Sequence, residues 1–241
     1  MPSIPIDVLQ EILERVDKKD LATICRVNKT CCSCSQDVLY REIYGGDKRV
    51  IQTLALSTDL ARRVRSFGTH CECPELATAL RNMSSLRNLN LLDSSDESIL
   101  DGCTFKLDSF ACSIPYSESL QKFLNSQPGL TSLTILDYEP WPQFDERCSP
   151  NLTLVMANPS LLRMLIPGRP VREVAILPRS RDNSIDLSYF TLTTTPIQNL
   201  TINYNMLYPK PVSLLVSIRP SLVHLVVYAN WTICVRLCLS I

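Results

Sequence analysis

The sequence predicts an α/β fold in two parts: a three-helix N-terminal module, then an irregular solenoid of short-strand repeats. Two patterns predict it, and composition supports them. Residues 4–44 carry helix-period apolar positions three times over. From residue 64 onward, one apolar template returns at nearly even intervals. Hydrophobic residues make up 45% of the 241 and charged residues 20%, which is the composition of a globular chain.

In the first helix Val8, Leu9, Ile12, Leu13 and Val16 form one broad apolar stripe at helical period. Pro5 suits its first turn, where a missing N–H costs nothing, and Asp7 and Glu11 suit the positive end of the helix dipole. Asp20 is the expected N-cap of a second helix with Leu21, Ile24, Cys25 and Val27 on its stripe. After a bend at Asn28–Thr30, Cys31, Cys32, Cys34, Val38 and Leu39 are the apolar positions of a third. Gly45 and Gly46 close the module at residue 46. Three helices in about forty residues bury too little to stand without a staple, metal or partner.

Residues 47–63 read as a helical join, with Ile51, Leu54, Leu56, Leu60 and Ala61 expected on one face. The arginines Arg62, Arg63 and Arg65 follow it. Beside their acidic neighbours they read as a solvated rim in preference to a phosphate site.

Residues 64–241 form the repeat domain. The template is apolar, two variable residues, apolar, one variable, apolar. It appears as Val64-Phe67-Thr69, Leu86-Leu89-Leu91, Leu107-Phe110-Cys112, Leu130-Leu133-Ile135, Leu152-Val155-Ala157, Val171-Val174-Ile176, Ile197-Leu200-Ile202 and Leu222-Leu225-Val227. Successive first positions lie 22, 21, 23, 22, 19, 26 and 25 residues apart. That interval and the L-x-x-L-x-L core match the strand of leucine-rich repeats, in which stacking closes the apolar face each unit leaves open. Helical returns are expected around 74–80, 118–124, 160–165 and 207–218. Asn90 and Asn203 are placed at turns, and the absence of a regular asparagine ladder predicts a shallow, irregular arc. The insertion Asp137–Cys148 enlarges one turn and reads as a binding loop. The stretch TICVRLCLSI is apolar and lacks the polar outer face of a terminal repeat, so it calls for a cover or a continuation of chain.

The order I-P-x-D-V-L-x-x-I-L-x-x-V, then D-L, then V-N-K, then L-Y-R-E-I resembles an F-box. Ile4, Pro5, Asp7, Val8, Leu9, Ile12, Leu13, Val16, Asp20, Leu21, Val27, Leu39, Tyr40 and Ile43 carry the match. Asp7, Cys31 and Tyr40 depart from commoner family residues, a glutamate and two tryptophans. With the repeats, the chain resembles fungal-type F-box proteins with degenerate leucine-rich repeats, including the stretch Gly168-Arg169-Pro170-Val171. The resemblance implies a substrate-recognition adaptor of a Skp–cullin–F-box ubiquitin ligase. The partner-binding residues would be Ile4, Pro5, Val8, Leu9, Ile12, Leu13, Val16, Leu21, Val27, Leu39 and Tyr40. Through them the chain would bind a Skp-family adaptor and so a cullin, while the repeats hold an unnamed client protein.

Net charge is zero, with 24 Lys and Arg against 24 Asp and Glu, so a nucleic-acid partner is not expected. No apolar run is long enough to cross a bilayer, and the N-terminus is not a signal peptide. The expected location is cytoplasm or nucleus, where eleven cysteines act as small buried apolar residues. Cys31, Cys32 and Cys34, with His70, Cys71 and Cys73, are poorly spaced for zinc, so no metal and no cofactor are expected. His224 lies inside a strand template and reads as a structural or surface residue, not a base. Without a glycine-rich phosphate loop or a nucleophile–base pair, no catalytic residue is named and the chain reads as non-enzymatic. The rival reading is a leucine-rich-repeat scaffold with no link to ubiquitination.

Overall fold

The structure, a computed structural model, describes residues 4–92, 94, 96–137, 141, 144, 148–177, 188–203, 221–229 and 233–238. Two compact units divide the chain: Met1–Asn90 with Ile99–Phe105, and Leu91–Ser98 with Lys106–Ile241. The first therefore takes in the expected join, the first repeat template and the second up to Leu89. No helix among the described residues is long and apolar enough to cross a membrane.

The first unit begins with α1 (Ile6–Leu13), α2 (Lys18–Ile24) and α3 (Lys29–Arg41). Pro5 sits at the N-cap position of α1, one step before the expected first turn. Asp17, not Asp20, occupies the N-cap of α2, and Asp20 falls in the first turn, where its charge still meets the helix dipole. Asn28 caps α3 by accepting from the Cys31 N–H at 2.8 Å. Both α1 and α2 pack on α3, around Leu13, Leu21 and Cys34.

After α3 the backbone extends into β1 (Glu42–Tyr44), a strand absent from the sequence expectation. It pairs in parallel with β2 (Ser66–Thr69), Ile43 opposite Phe67 and Tyr44 opposite Gly68. The pairing explains Gly68: a Cβ there would lie 3.1 Å from the Tyr44 ring. Gly45 turns the chain out of β1 at φ +68°, a region where glycine carries no steric cost.

The join is α4 (Lys48–Leu56) and α5 (Thr58–Ala61), packed with α6 (Leu76–Asn82). Ile51, Leu54 and Ala61 are fully buried, as the stripe requires. Leu56 is not: it ends α4 at 88% exposed, where the helix stops before its next turn can cover it. The Asn82 amide donates to the Leu54 and Ala55 carbonyls at 3.2 and 3.0 Å, satisfying the end of α4 from a neighbouring helix. β3 (Asn88–Leu91) follows α6.

The second unit holds β4 (Ser109–Cys112), α7 (Glu118–Asn125), β5 (Ser132–Ile135), β6 (Leu154–Ala157), α8 (Pro159–Leu165), β7 (Glu173–Ile176), β8 (Asn199–Asn203), β9 (His224–Ala229) and β10 (Ile233–Cys238). Strands β4 to β9 run parallel in chain order. All eight templates coincide with strands β2 to β9. The ladder registers them position on position: Phe110 faces Leu133, Leu133 faces Val155, Val155 faces Val174, Val174 faces Leu200 and Leu200 faces Leu225. These side chains are buried while the residues between them are half-exposed, the alternation that the period of two demands. A backbone device recurs with the template. The carbonyls of Asp108, Thr131, Thr153, Arg172 and Gln198 each accept two consecutive N–H donors from the start of the following strand.

Asn90 and Asn203, expected at turns, lie inside β3 and β8. The returns at 118–124 and 160–165 are α7 and α8, and α6 is the return at 74–80. The return expected at 207–218 lies outside the described residues. The apolar segment 233–238 forms β10 and pairs antiparallel with β9, Val235 opposite Val227, so its backbone groups close an edge that would otherwise be open.

The insertion after β5 is partly structural. Asp137, Trp141, Phe144 and Cys148 are buried; the Trp141 indole donates to Asp137 at 3.1 Å and its ring meets Tyr116 and Phe144 at 5.2 and 5.9 Å. These four residues are anchors, and the rest of the expected binding loop lies outside the described residues. Asn158 fixes the return that follows β6. Its side chain caps α8 by accepting from Leu161 N–H and donates to the Asp137 carbonyl, both at 3.0 Å. Asn158→Ala removes a cap and strands a buried carbonyl, so a loss of about 2–3 kcal/mol is expected in denaturant unfolding. A loss under about 0.5 kcal/mol, the range of ordinary surface changes, would remove that role.

Candidate functional site

The apolar arc of α1 is wider than its own bundle can cover. Leu9 and Leu13, one turn apart, face α3, and so does Val16 beyond the helix. Val8 and Ile12, also one turn apart, lie on the outer side at 46% and 49% exposed. Ile4 and Ile6 at the start of the helix and Val27 after α2 are more exposed still. A helical module of forty residues that leaves five large aliphatic side chains in water offers a partner surface, because scattered single exposures need no explanation but a set on one small module does.

The eleven residues expected at a partner surface thus divide by burial. Ile4, Pro5, Val8, Ile12 and Val27 are exposed. Leu9, Val16 and Leu39 are half-buried against the module's core, and Tyr40 is half-buried at the end of α3. Leu13 and Leu21 are each 1% exposed and form that core. In the free chain these two hold α1 and α2 on α3, and so place Val8 and Ile12 on the outer side. A broad stripe read from spacing alone does not say which edge turns inward. Ile6, outside the expected set, is exposed as well and continues the apolar start Ile4-Pro5-Ile6.

Polar contacts fix the module's edges. Arg41 at the end of α3 donates to Glu14, just after α1, at 2.5 Å, and Arg63 donates to Asp37 of α3 and to the Ser33 carbonyl. The exposed Arg15–Glu11 pair at 3.0 Å lies within a single helical turn and adds little.

Burial pushes up the thiols of Cys25, Cys34 and Cys73, and takes Cys103 to about 11 and Cys112 to about 12. Thiols so shifted stay protonated and behave as small apolar groups, the opposite of an activated nucleophile. Among the described residues no three His, Cys, Asp or Glu side chains converge as metal ligands. His224 lies on β9 with its Nδ1 3.0 Å from the Asn199 amide oxygen of β8.

No curated protein matches this chain. Residues 1–42 match the family model of the F-box domain. That span covers α1, α2 and α3 and stops as β1 begins. The open apolar line on α1 therefore belongs to an F-box domain, a module that typically binds a Skp-family adaptor and through it a cullin, and the N-terminal part of this chain is one.

Proposed function

We propose that the chain is a substrate-recognition adaptor of a Skp–cullin–F-box ubiquitin ligase, acting in the cytoplasm or nucleus. One observation carries the reading: an F-box domain whose own core is closed still leaves Val8 and Ile12 open along α1. Docking there is a helix-face contact, with Ile4, Pro5, Ile6 and Val27 at its margin and Leu9, Val16, Leu39 and Tyr40 behind it. Burying each aliphatic group stabilises a complex by about 1.5–3 kcal/mol.

The remainder acts as a leucine-rich-repeat domain that holds a client. Six strands on one template, β4 to β9, stacked with like positions in register, support this. Tethering the client beside the ligase's ubiquitin-loaded partner raises its effective concentration, and this chain contributes no reacting group to the transfer. The measurement is co-purification of the full chain with a recombinant Skp-family adaptor, followed by titration. A complex at micromolar or tighter dissociation constant is expected. No complex at that concentration would leave a repeat scaffold without ligase association.

A further inference from the structure

The first unit contains a cavity of about 550 Å³ that the docking surface does not use. Four arginines wall it: Arg41 from the last turn of α3, and Arg62, Arg63 and Arg65 from the segment leaving α5. Gln10 of α1 contributes an amide, and Asp37 and Asp59 contribute carboxylates. With Glu14, which pairs with Arg41, four guanidinium groups stand against three carboxylates among the described residues, an excess of one positive charge.

These arginines are not equivalent. Arg41 and Arg63 are held by Glu14 and Asp37, and the Arg63 Nε is buried with no acceptor among the described residues. Arg62 and Arg65 are exposed, and neither has a side-chain partner among the described residues. Two fixed guanidiniums and two uncommitted ones around one space form an anion receptor, since the fork of N–H donors matches tetrahedral oxyanions. Taken with its acidic neighbours in sequence, the arginine run reads as a rim. What changes the reading is Arg41, which the fold brings from twenty residues upstream to complete the wall.

We propose that this cavity binds a phosphate monoester. A monoester carries about −1.5 to −2 charges at neutral pH, enough to engage both Arg62 and Arg65, the two wall guanidiniums with no carboxylate partner among the described residues. The chain's net charge is zero, so it lacks the long-range field that polyanions such as nucleic acid exploit; the positive charge is local and suits a single group. The ester comes either from a phosphorylated serine or threonine side chain or from a small free phosphate.

The test uses the full chain with three probes: a peptide mixture with one fixed phosphoserine and degenerate flanks, the same mixture unphosphorylated, and inorganic phosphate. The phosphorylated mixture is expected to bind at least tenfold more tightly than the unphosphorylated one. An Arg62→Gln, Arg65→Gln variant should lose that preference at unchanged melting temperature, because both side chains are exposed. Asp59→Asn should strengthen binding about threefold by removing a repelling charge from the wall, an effect that a merely structural role would not produce. Phosphopeptide binding above that of inorganic phosphate assigns the side-chain source, and equal binding assigns the free ester. Equal retention of both peptide mixtures with no binding of inorganic phosphate, or full binding by the double glutamine variant, overturns the site. Adaptor co-purification reads a different face, so failure of either proposal is visible separately.

Discussion

A Val8→Asp, Ile12→Asp variant is expected to fold like the wild type and to lose the Skp-family adaptor. Both residues are about half exposed, so charge placed there meets water in the free protein and an apolar partner surface only in the complex. Each side chain stands to lose about 1.5–3 kcal/mol of burial, and stranding a carboxylate adds to that, so affinity falls at least ~100-fold. Leu13→Asp is the informative contrast. Leu13 is core, and a buried unpaired carboxylate unfolds the module, so adaptor binding and the helical signal disappear together. Circular dichroism melting with adaptor titration separates the two. Wild-type affinity in the surface double variant would end the docking assignment.

Arg169→Met is expected to destabilise the second unit strongly. Arg169 is 2% exposed and its guanidinium gathers carbonyls from the end of α8 and from the insertion: Met164, Leu165 and Pro167 through Nη1 at 3.0, 3.1 and 3.4 Å, and Cys148 through Nε and Nη2 at 3.2 and 2.9 Å. The Phe144 ring lies 5.7 Å from its charge centre. A cation at the C-terminus of a helix also meets the negative end of the dipole. Methionine fills the space but takes the guanidinium donors away from these acceptors, so a loss of about 3 kcal/mol or more is expected in denaturant unfolding followed by tryptophan fluorescence. Arg169→Lys should recover little, because one ammonium cannot serve carbonyls on both segments. A loss under about 1 kcal/mol in the methionine variant would show the network to be dispensable.

The strands were legible because their physics is local and periodic. Leu133 and Ile135 announce an inward face by alternation alone, and the same alternation recurs often enough to set the register of β4 to β9. Helices α1, α3 and α8 were legible for a like reason, apolar positions that recur at helical spacing. Glu42–Tyr44 was not, since three residues carry no period; it is a strand because Phe67 and Gly68 lie beside it. Segment 233–238 looked like an apolar tail needing a cover, and its partner is β9.

By itself the sequence determined where apolar stripes and strand templates lie, that the first forty residues form an F-box-like bundle, and that charge is balanced over the chain. Tertiary structure decided which side of each stripe is interior. Leu13 and Val8 are equally apolar and five residues apart, yet packing on α3 buries one and leaves the other to solvent. It also decided that Arg41 joins Arg62, Arg63 and Arg65 around one space, and that Arg169 serves carbonyls from two segments. Periodicity reports the environment along one element. Direction toward a neighbour, and convergence of charges from separate elements, are properties of the packed chain alone.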